Sequence, residues 1–449
     1  MAEVLLIYPF FRSRRDRSVF RFPPLGVGYV AAYLRQQGHR VAILDCTFLS
    51  RREAMRRAKA RRAEVVGIYG MVTMKDDCLR MARALAAQTK LLVAGGPLPT
   101  TDPQSFLPPF DVVVHGEGEQ TMAELIVAYE SGAALETVPG LTLPEATTPG
   151  KVRRTALRPL APELDRLPFP ARDLLPNDAY IRYTRARYGH AITSIMTTRG
   201  CPFACEFCSN EVFGVSYRAR SIANVLDEVE EVLALGFERV HFADDVLTLY
   251  AERTLELCCE IERRGLRFRW ECLARADSLD LERARAMRAA GCAKVYFGIE
   301  SGSDAVLARM NKRLTAASAR RGVEAAHAAG LQTGAFFILF YPGDTEETVL
   351  TTIRFALSLP LDYLSFTLPY PLPGTALYQR LQGRHRRAWR QPAGVLSRHE
   401  RIFAGDFSAA KMRFGVLKGT LEFIAKKQLG AWAARAVQRP TDVVLRWLP

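Results

Sequence analysis

Three cysteines, Cys201, Cys205 and Cys208, stand in RGCPFACEFCSN (199–210) with the spacing CxxxCxxC. A closed structural zinc site takes four ligands, and an electron-transfer iron–sulfur cluster usually takes four thiolates. Three thiolates on a four-iron cluster leave one iron open, and an open metal position serves to bind and activate something. The residues alone also allow a zinc site completed from afar by Cys258, Cys259, Cys272 or His241. Cys46, Cys78, Cys258, Cys259, Cys272 and Cys292 form no second metal spacing and read mostly as small buried hydrophobes.

The elements around this motif alternate. Candidate strands at 192–198, 239–244, 267–273, 294–300, 334–340 and 363–368 are separated by helical patterns. Six βα units over 191–375 predict a partial (βα)6 barrel of the TIM type, whose chemistry lies at the carboxyl ends of the strands. The cysteines follow the first of these strands. Residues 1–148 show strands at 3–9, 40–45, 65–70, 91–96 and 111–116 with helices between, which predicts an α/β, doubly wound, Rossmann-like domain. Ligands of such a sheet bind beyond the carboxyl ends of its strands. Those ends carry Gly70 and Thr73, then Gly95, Gly96 and Pro97, then Gly116, Glu117 and Gly118. Small residues there let a ligand come close to the backbone. A Pro-rich linker with room for a small hairpin joins the domains over 149–190.

From 376 to 449 the chain is a basic helical tail. It carries 14 Lys and Arg from 384 onward, against 4 Asp and Glu. Leu417, Leu421 and Ile424 recur at helical spacing, with Lys418, Lys426 and Lys427 elsewhere on the wheel. This predicts either a helical cap on the barrel or an interfacial helix at an anionic membrane.

Composition is globular, with 49% hydrophobic and 24% charged residues among 449. The net charge of +15 suits nucleic acid, an anionic substrate or a membrane surface, and equally reflects plain Arg usage. The tail has no nucleic-acid module pattern, so no nucleic-acid partner is expected. MAEVLLIYPFF lacks a basic signal-peptide region, and no run approaches the ~18 apolar residues of a membrane span. The expected location is the cytoplasm, with peripheral contact to the inner membrane face through the tail.

From about 190 to 375 the chain resembles the radical S-adenosylmethionine superfamily. The resemblance implies that Cys201, Cys205 and Cys208 hold a four-iron four-sulfur cluster and that S-adenosylmethionine chelates its open iron. Phe207 then corresponds to the aromatic beside the adenine. HFADDVLT (241–248) corresponds to the acidic motif for the methionine ammonium, with Asp244 and Asp245 as candidates; a helix N-cap is the alternative for either. Arg275 in WECLARAD is a candidate carboxylate clamp, or else pairs with Asp277. YFGIESGSD places Glu300 and Ser301 toward the ribose or methionine, and AFFILFYPGDTEET places Phe340 beside the adenine.

Residues 1–148 resemble the cobalamin-binding domain of the class B, radical methyltransferase-like members. PPLGVGYVAAYLR, AGGPLPTTDP and VVHGEGEQTMAEL carry this, with LPFPARDLLP in the linker. The Asp-x-His-x-x-Gly motif of many cobalamin domains is missing: residues 8–24 contain no histidine. Cobalamin would therefore bind without a lower histidine, and a flavodoxin-like module without cofactor is the alternative. His39 and His115 read as surface or core residues. The resemblance implies C-methylation of an unactivated carbon in a small-molecule, lipid or natural-product substrate, with flavodoxin or ferredoxin as reductant. A radical cyclase or rearranging enzyme has the same architecture. A metal-binding interaction or sensor protein is the reading of another class.

Overall fold

In this computed structural model, which describes all residues except 13–20, 146, 147, 149, 385–402 and 449, the first sheet is built from short apolar runs. Its seven strands lie in the order Arg40–Asp45, Glu3–Tyr8, Val65–Tyr69, Leu91–Gly95, Val112–Val114, Leu141–Pro144 and Val152–Arg154. The first five are parallel, with Leu6 opposite both Ile43 and Gly67. Both faces are covered. Val4 and Leu6 share one core with Val27, Ala31 and Leu34 of the helix Leu25–Gln36 and with Leu125 and Ile126. Leu5 and Ile7 share the other with Ala54, Ala58, Met81 and Leu85. Alternate residues of a parallel strand need apolar cover on both sides, which is why these runs are apolar throughout.

The strands Leu141–Pro144 and Val152–Arg154 extend this sheet as an antiparallel hairpin. The hairpin anticipated around the linker is thus part of the sheet and shields the edge of the three-residue strand Val112–Val114. The linker also contains an unanticipated helix, Asn177–Tyr188. Its Tyr180 hydroxyl donates to the buried Asp45 carboxylate at 2.6 Å.

The described residues group into two compact units, 1–194 with 209–237, and 195–208 with 238–384 and 403–448. The helix Ile222–Ala234 therefore belongs with the first unit. A buried ionic triad explains this. The Arg172 guanidinium, from the linker run LPFPARDLLP, donates to Glu228 at 2.6 Å, to Ser194 O at 2.8 Å and to Thr193 Oγ1 at 3.2 Å. Arg220 pairs with the other Glu228 oxygen, and all three side chains are essentially inaccessible. The linker also runs tightly over the helix Leu25–Gln36: a Cβ on Gly28 would stand 2.9 Å from Pro170.

The second sheet has six strands in sequence order, Ile192–Ile195, Arg239–Phe242, Arg269–Ala274, Cys292–Glu300, Gln332–Ile338 and Tyr363–Thr367. Each strand lies beside the next, which is the winding of a barrel rather than of a doubly wound sheet. Two helices, Ala409–Leu429 and Ala431–Trp447, close the described chain and pack on each other. The first of them inverts the expected polarity. Lys411 and Lys418 are buried, whereas Leu417, Leu421 and Ile424 are exposed. Glycines dictate the choice: a Cβ on Gly415 would meet the Phe340 ring at 2.5 Å, and one on Gly419 would meet Phe366 at 2.5 Å. The face that admits those rings carries the lysines inward. There Lys418 pairs with Glu422 and Asp442, and Lys426 donates to Leu357 O and Leu359 O.

Removing the shared carboxylate of the triad would leave two buried guanidinium groups without a counter-charge. Glu228→Gln is expected to destabilise the fold by about 3–5 kcal/mol, read as a lowered urea midpoint in denaturation followed by circular dichroism.

Candidate functional site

The cysteine loop has no regular structure, yet it is pinned at successive residues. The Arg275 guanidinium lies 3.8 Å from the centre of the Phe203 ring. Asn311 Nδ2 donates to Ala204 O at 2.7 Å. Glu206 N donates to Met310 O, and Leu377 N donates to Glu206 O, both at 2.9 Å. Burial raises the pKa of all three thiols. Cys208 is pushed to about 12 by desolvation of its thiol and by the negative charge of Asp245, Cys205 and Cys201, although the residue as a whole reaches solvent. Lys312 and then Arg275 oppose the rise at Cys205.

Among the described residues, no three His, Cys, Asp or Glu side chains converge closely enough to share one ion. The thiols still sense one another electrostatically. Such a spread suits ligands that each serve a different iron of a cluster.

Beside the thiols stands a buried ion pair, Lys312 Nζ to Glu300 Oε1 at 3.1 Å. Its backbone is strained. Glu300 has φ 74° where the strand register slips between Gly298 and Glu300, and Asn311 and Arg313 have φ 50° and 49° on either side of Lys312. Left-handed non-glycine residues cost on the order of 1–3 kcal/mol each and gather at functional sites. Gly298 makes room for the pair, since a Cβ there would meet Glu300 Oε1 at 2.8 Å. Lys312 Nζ is also 5.7 Å from the centre of the Phe207 ring.

In the first unit, the carboxyl ends of the strands are stitched together. Gly70 N donates to Gly95 O at 2.7 Å, Leu98 N to Gly70 O at 3.2 Å, and Gly116 N to Thr100 Oγ1 at 3.1 Å. Gly96 has φ 106°, and a Cβ there would stand 2.8 Å from Gly70 O, so only glycine fits. Above Gly95 there is open space, with nothing within 4 Å of a Cβ position. Thr73 lies in the turn Val72–Met74, half-buried as Pro97 is. Gly118 opens the helix Gly118–Ser131.

Against this geometry stand the matches to known proteins. The Radical SAM superfamily model matches residues 195–356, and the B12 binding domain model matches residues 15–126. A methyltransferase of Pyrococcus horikoshii, itself uncharacterized, is 34% identical over 387 residues, covering 84% of this chain and 82% of that protein. The chain belongs to the radical S-adenosylmethionine enzymes that carry a cobalamin-binding domain. Its cofactors are a four-iron four-sulfur cluster, S-adenosylmethionine and cobalamin. The anaerobic magnesium-protoporphyrin IX monomethyl ester cyclase of Rubrivivax gelatinosus is 29% identical over 395 residues, covering 84% of this chain and 70% of that protein. Among solved structures, the radical S-adenosylmethionine methyltransferase TsrM of Kitasatospora setae, with cobalamin and a [4Fe-4S] cluster bound, aligns with a TM-score of 0.71 at 21% identity. That alignment covers 85% of this chain and 74% of the TsrM chain, and it shows the shared fold.

In this radical S-adenosylmethionine enzyme the structure gives five of the anticipated residues other occupations. The Asp244 carboxylate is fully buried and accepts from Thr197 N, Thr198 N and both threonine hydroxyls at 2.6–3.0 Å. It ties down the chain ahead of the cysteine loop, whereas the charge of Asp245 acts on Cys201 and Cys208. Arg275 is no free clamp: it donates to Asp277 at 3.0 and 2.8 Å, to Lys312 O at 3.0 Å and to Arg313 O at 2.9 Å. The Ser301 hydroxyl is buried against Thr352 Oγ1 and accepts from Ser303 N. The Phe340 ring packs on Phe407 and under Gly415. In the first unit Glu117 pairs with Arg218 at 3.0 Å and accepts from Ala161 N, so its carboxylate is already satisfied.

Each histidine near the sheet is engaged through one ring nitrogen. His39 Nδ1 accepts from Ala2 N, and His115 Nε2 bonds to the Thr142 hydroxyl. Burial lowers the pKa of both, His115 to about 4. The open position over Gly95 lets a ligand approach the backbone there. Lys312 was missed in the sequence. Its only signal there is its place 12 residues after Glu300, in a turn that no helix or strand period marks.

Asp344 supports the site by accepting from Tyr341 N at 2.7 Å and from Thr348 Oγ1 at 2.7 Å. Burial raises its pKa to about 6. A carboxyl raised in the folded state favours folding when protonated, and that contribution is lost as pH rises from about 4 through about 6. Asp344→Asn is therefore expected to gain stability relative to the wild type across this interval, measured as the difference in Tm against pH.

Proposed function

We propose that this enzyme C-methylates an unactivated carbon of a lipid or natural-product intermediate. The observation that carries the reading is the pinned three-thiol loop beside a buried Glu300–Lys312 pair, together with the cobalamin-binding domain. When bound, the cluster supplies the electron that splits S-adenosylmethionine, and cobalamin supplies the methyl relay. In this reading Cys201, Cys205 and Cys208 ligate three irons. Asp245 offsets the methionine ammonium, and Lys312 holds the Glu300 carboxylate in place. Glu300 faces the ribose or methionine, and Phe207 lies against the adenine. Gly70, Thr73, Gly95, Gly96, Pro97, Gly116 and Gly118 line the cobalamin edge. A protein reductant such as flavodoxin or ferredoxin delivers the electrons.

The relative named as a cyclase favours a second reading, radical ring closure without methyl transfer. Protein purified without oxygen from cobalamin-fed cells is expected to hold about four irons and about one cobalamin per chain. Extracts of a deletion strain incubated with methyl-deuterated S-adenosylmethionine should then yield one labelled product. Cys205→Ala should lose both the cluster and deoxyadenosine release. A product cyclised without label would put the second reading in place of the first.

The tail supports a lipid surface as a site of work. Among the described residues of the last two helices, the exposed charged side chains (Arg413, Lys427, Arg435, Arg439 and Arg446) are all basic. They share the surface with exposed Leu417, Leu421, Trp432 (72%) and Trp447 (84%). Anionic lipid complements these cations, of which Lys427 and Arg446 also pair with Asp362 and Glu347. No described helix is long and apolar enough to cross a membrane. The protein is expected to float with phosphatidylglycerol vesicles and not with phosphatidylcholine vesicles, and Leu421→Gln with Trp432→Gln should abolish this. Equal recovery in the unbound fraction for both vesicle types would refute the contact.

A further inference from the structure

Glu206 sits between two of the three cysteines, and four separate contacts hold it. Its backbone N–H and C=O are bonded to Met310 and Leu377. Its carboxylate accepts from the Tyr341 hydroxyl at 2.6 Å and pairs with Arg380 Nε at 3.0 Å. The Tyr341 ring is buried, meets the Phe207 ring edge-on at 6.4 Å, and lies under the Arg380 guanidinium at 5.5 Å. An exposed ion pair alone would add little. This one is different because a buried phenol fixes the same carboxylate from the inner side. The phenol is itself aimed by strain: Phe340 before it has φ 61°, and Asp344 holds its backbone N–H.

We propose that Tyr341 and Arg380 are positioning residues of the radical site, acting through Glu206, and that the balance of charge at Glu206 contributes to the reduction potential of the cluster. The proposal rests on the cluster reading and deepens it. An anion beside a cluster disfavours added electrons, and a cation or a hydrogen-bond donor to that anion relieves the effect. A bracket with only a structural role would change how much iron is held, without a signed change in potential.

The test is a redox titration of the reconstituted cluster followed by electron paramagnetic resonance, with iron counted per chain. Glu206→Gln is expected to shift the midpoint potential positive. Arg380→Gln is expected to shift it negative, and Tyr341→Phe, which keeps the ring packing, should shift it the same way as Arg380→Gln. Wild-type potential in all three cluster-loaded variants would overturn the proposal while leaving the cluster reading intact, as would iron loss without any shift in the cluster that remains. A wild-type protein that takes up no reducible four-iron cluster would overturn both.

Discussion

One buried guanidinium organises the radical site. Arg275 bonds to the carbonyls of Lys312 and Arg313, pairs with Asp277, and lies over the Phe203 ring of the cysteine loop. The turn it grips holds two left-handed residues, Asn311 and Arg313, which would relax without an external tie. A planar group with five donors can bridge two carbonyls, a carboxylate and an aromatic face at once, and a lysine in its place could not. This contact joins the cysteine loop to the Lys312 turn, alongside the Asn311–Ala204 and Glu206–Met310 bonds.

The same principle governs the acids. Two adjacent aspartates close the strand Arg239–Phe242, and burial divides them. Asp244 turns inward, where four donors offset the cost of taking its charge out of water. Asp245 stays outward, and its charge acts on Cys201 and Cys208. In the final helix pair, burial likewise reverses the usual arrangement. Glycines at 415 and 419 admit aromatic rings, the lysines that come inward with them find carboxylates and helix-end carbonyls, and the leucines are left outside.

In the first unit the constraint is close approach. Gly28 and Gly96 each lie where a single methyl group would collide with neighbouring chain. The Arg172–Glu228–Arg220 triad fastens the linker to the helix Ile222–Ala234, so the chain after the cysteine motif folds back into the first unit. Exchanging such a triad for apolar residues often leaves stability unchanged, but removing one member does not, which makes it a specific latch.

The sequence by itself determined most of the strand and helix order, the two domain types and the three cysteines, but not the helix Asn177–Tyr188. Apolar periodicity and a tight ligand spacing are local and survive without knowledge of the fold. It also narrowed the acidic motif to Asp244 and Asp245, and Arg275 to a clamp or an ion pair with Asp277. Choosing within each pair needed the tertiary structure, because the choice depends on which partners, distant in sequence, are within bonding distance. Thr197 and Thr198 meet Asp244 from 46–47 residues away, and Lys312 and Arg313 present their carbonyls to Arg275 from 37–38 residues away. Lys312 itself was invisible for the same reason: a lysine in a polar turn carries no period, and only the folded chain brings it to a buried carboxylate beside the thiols.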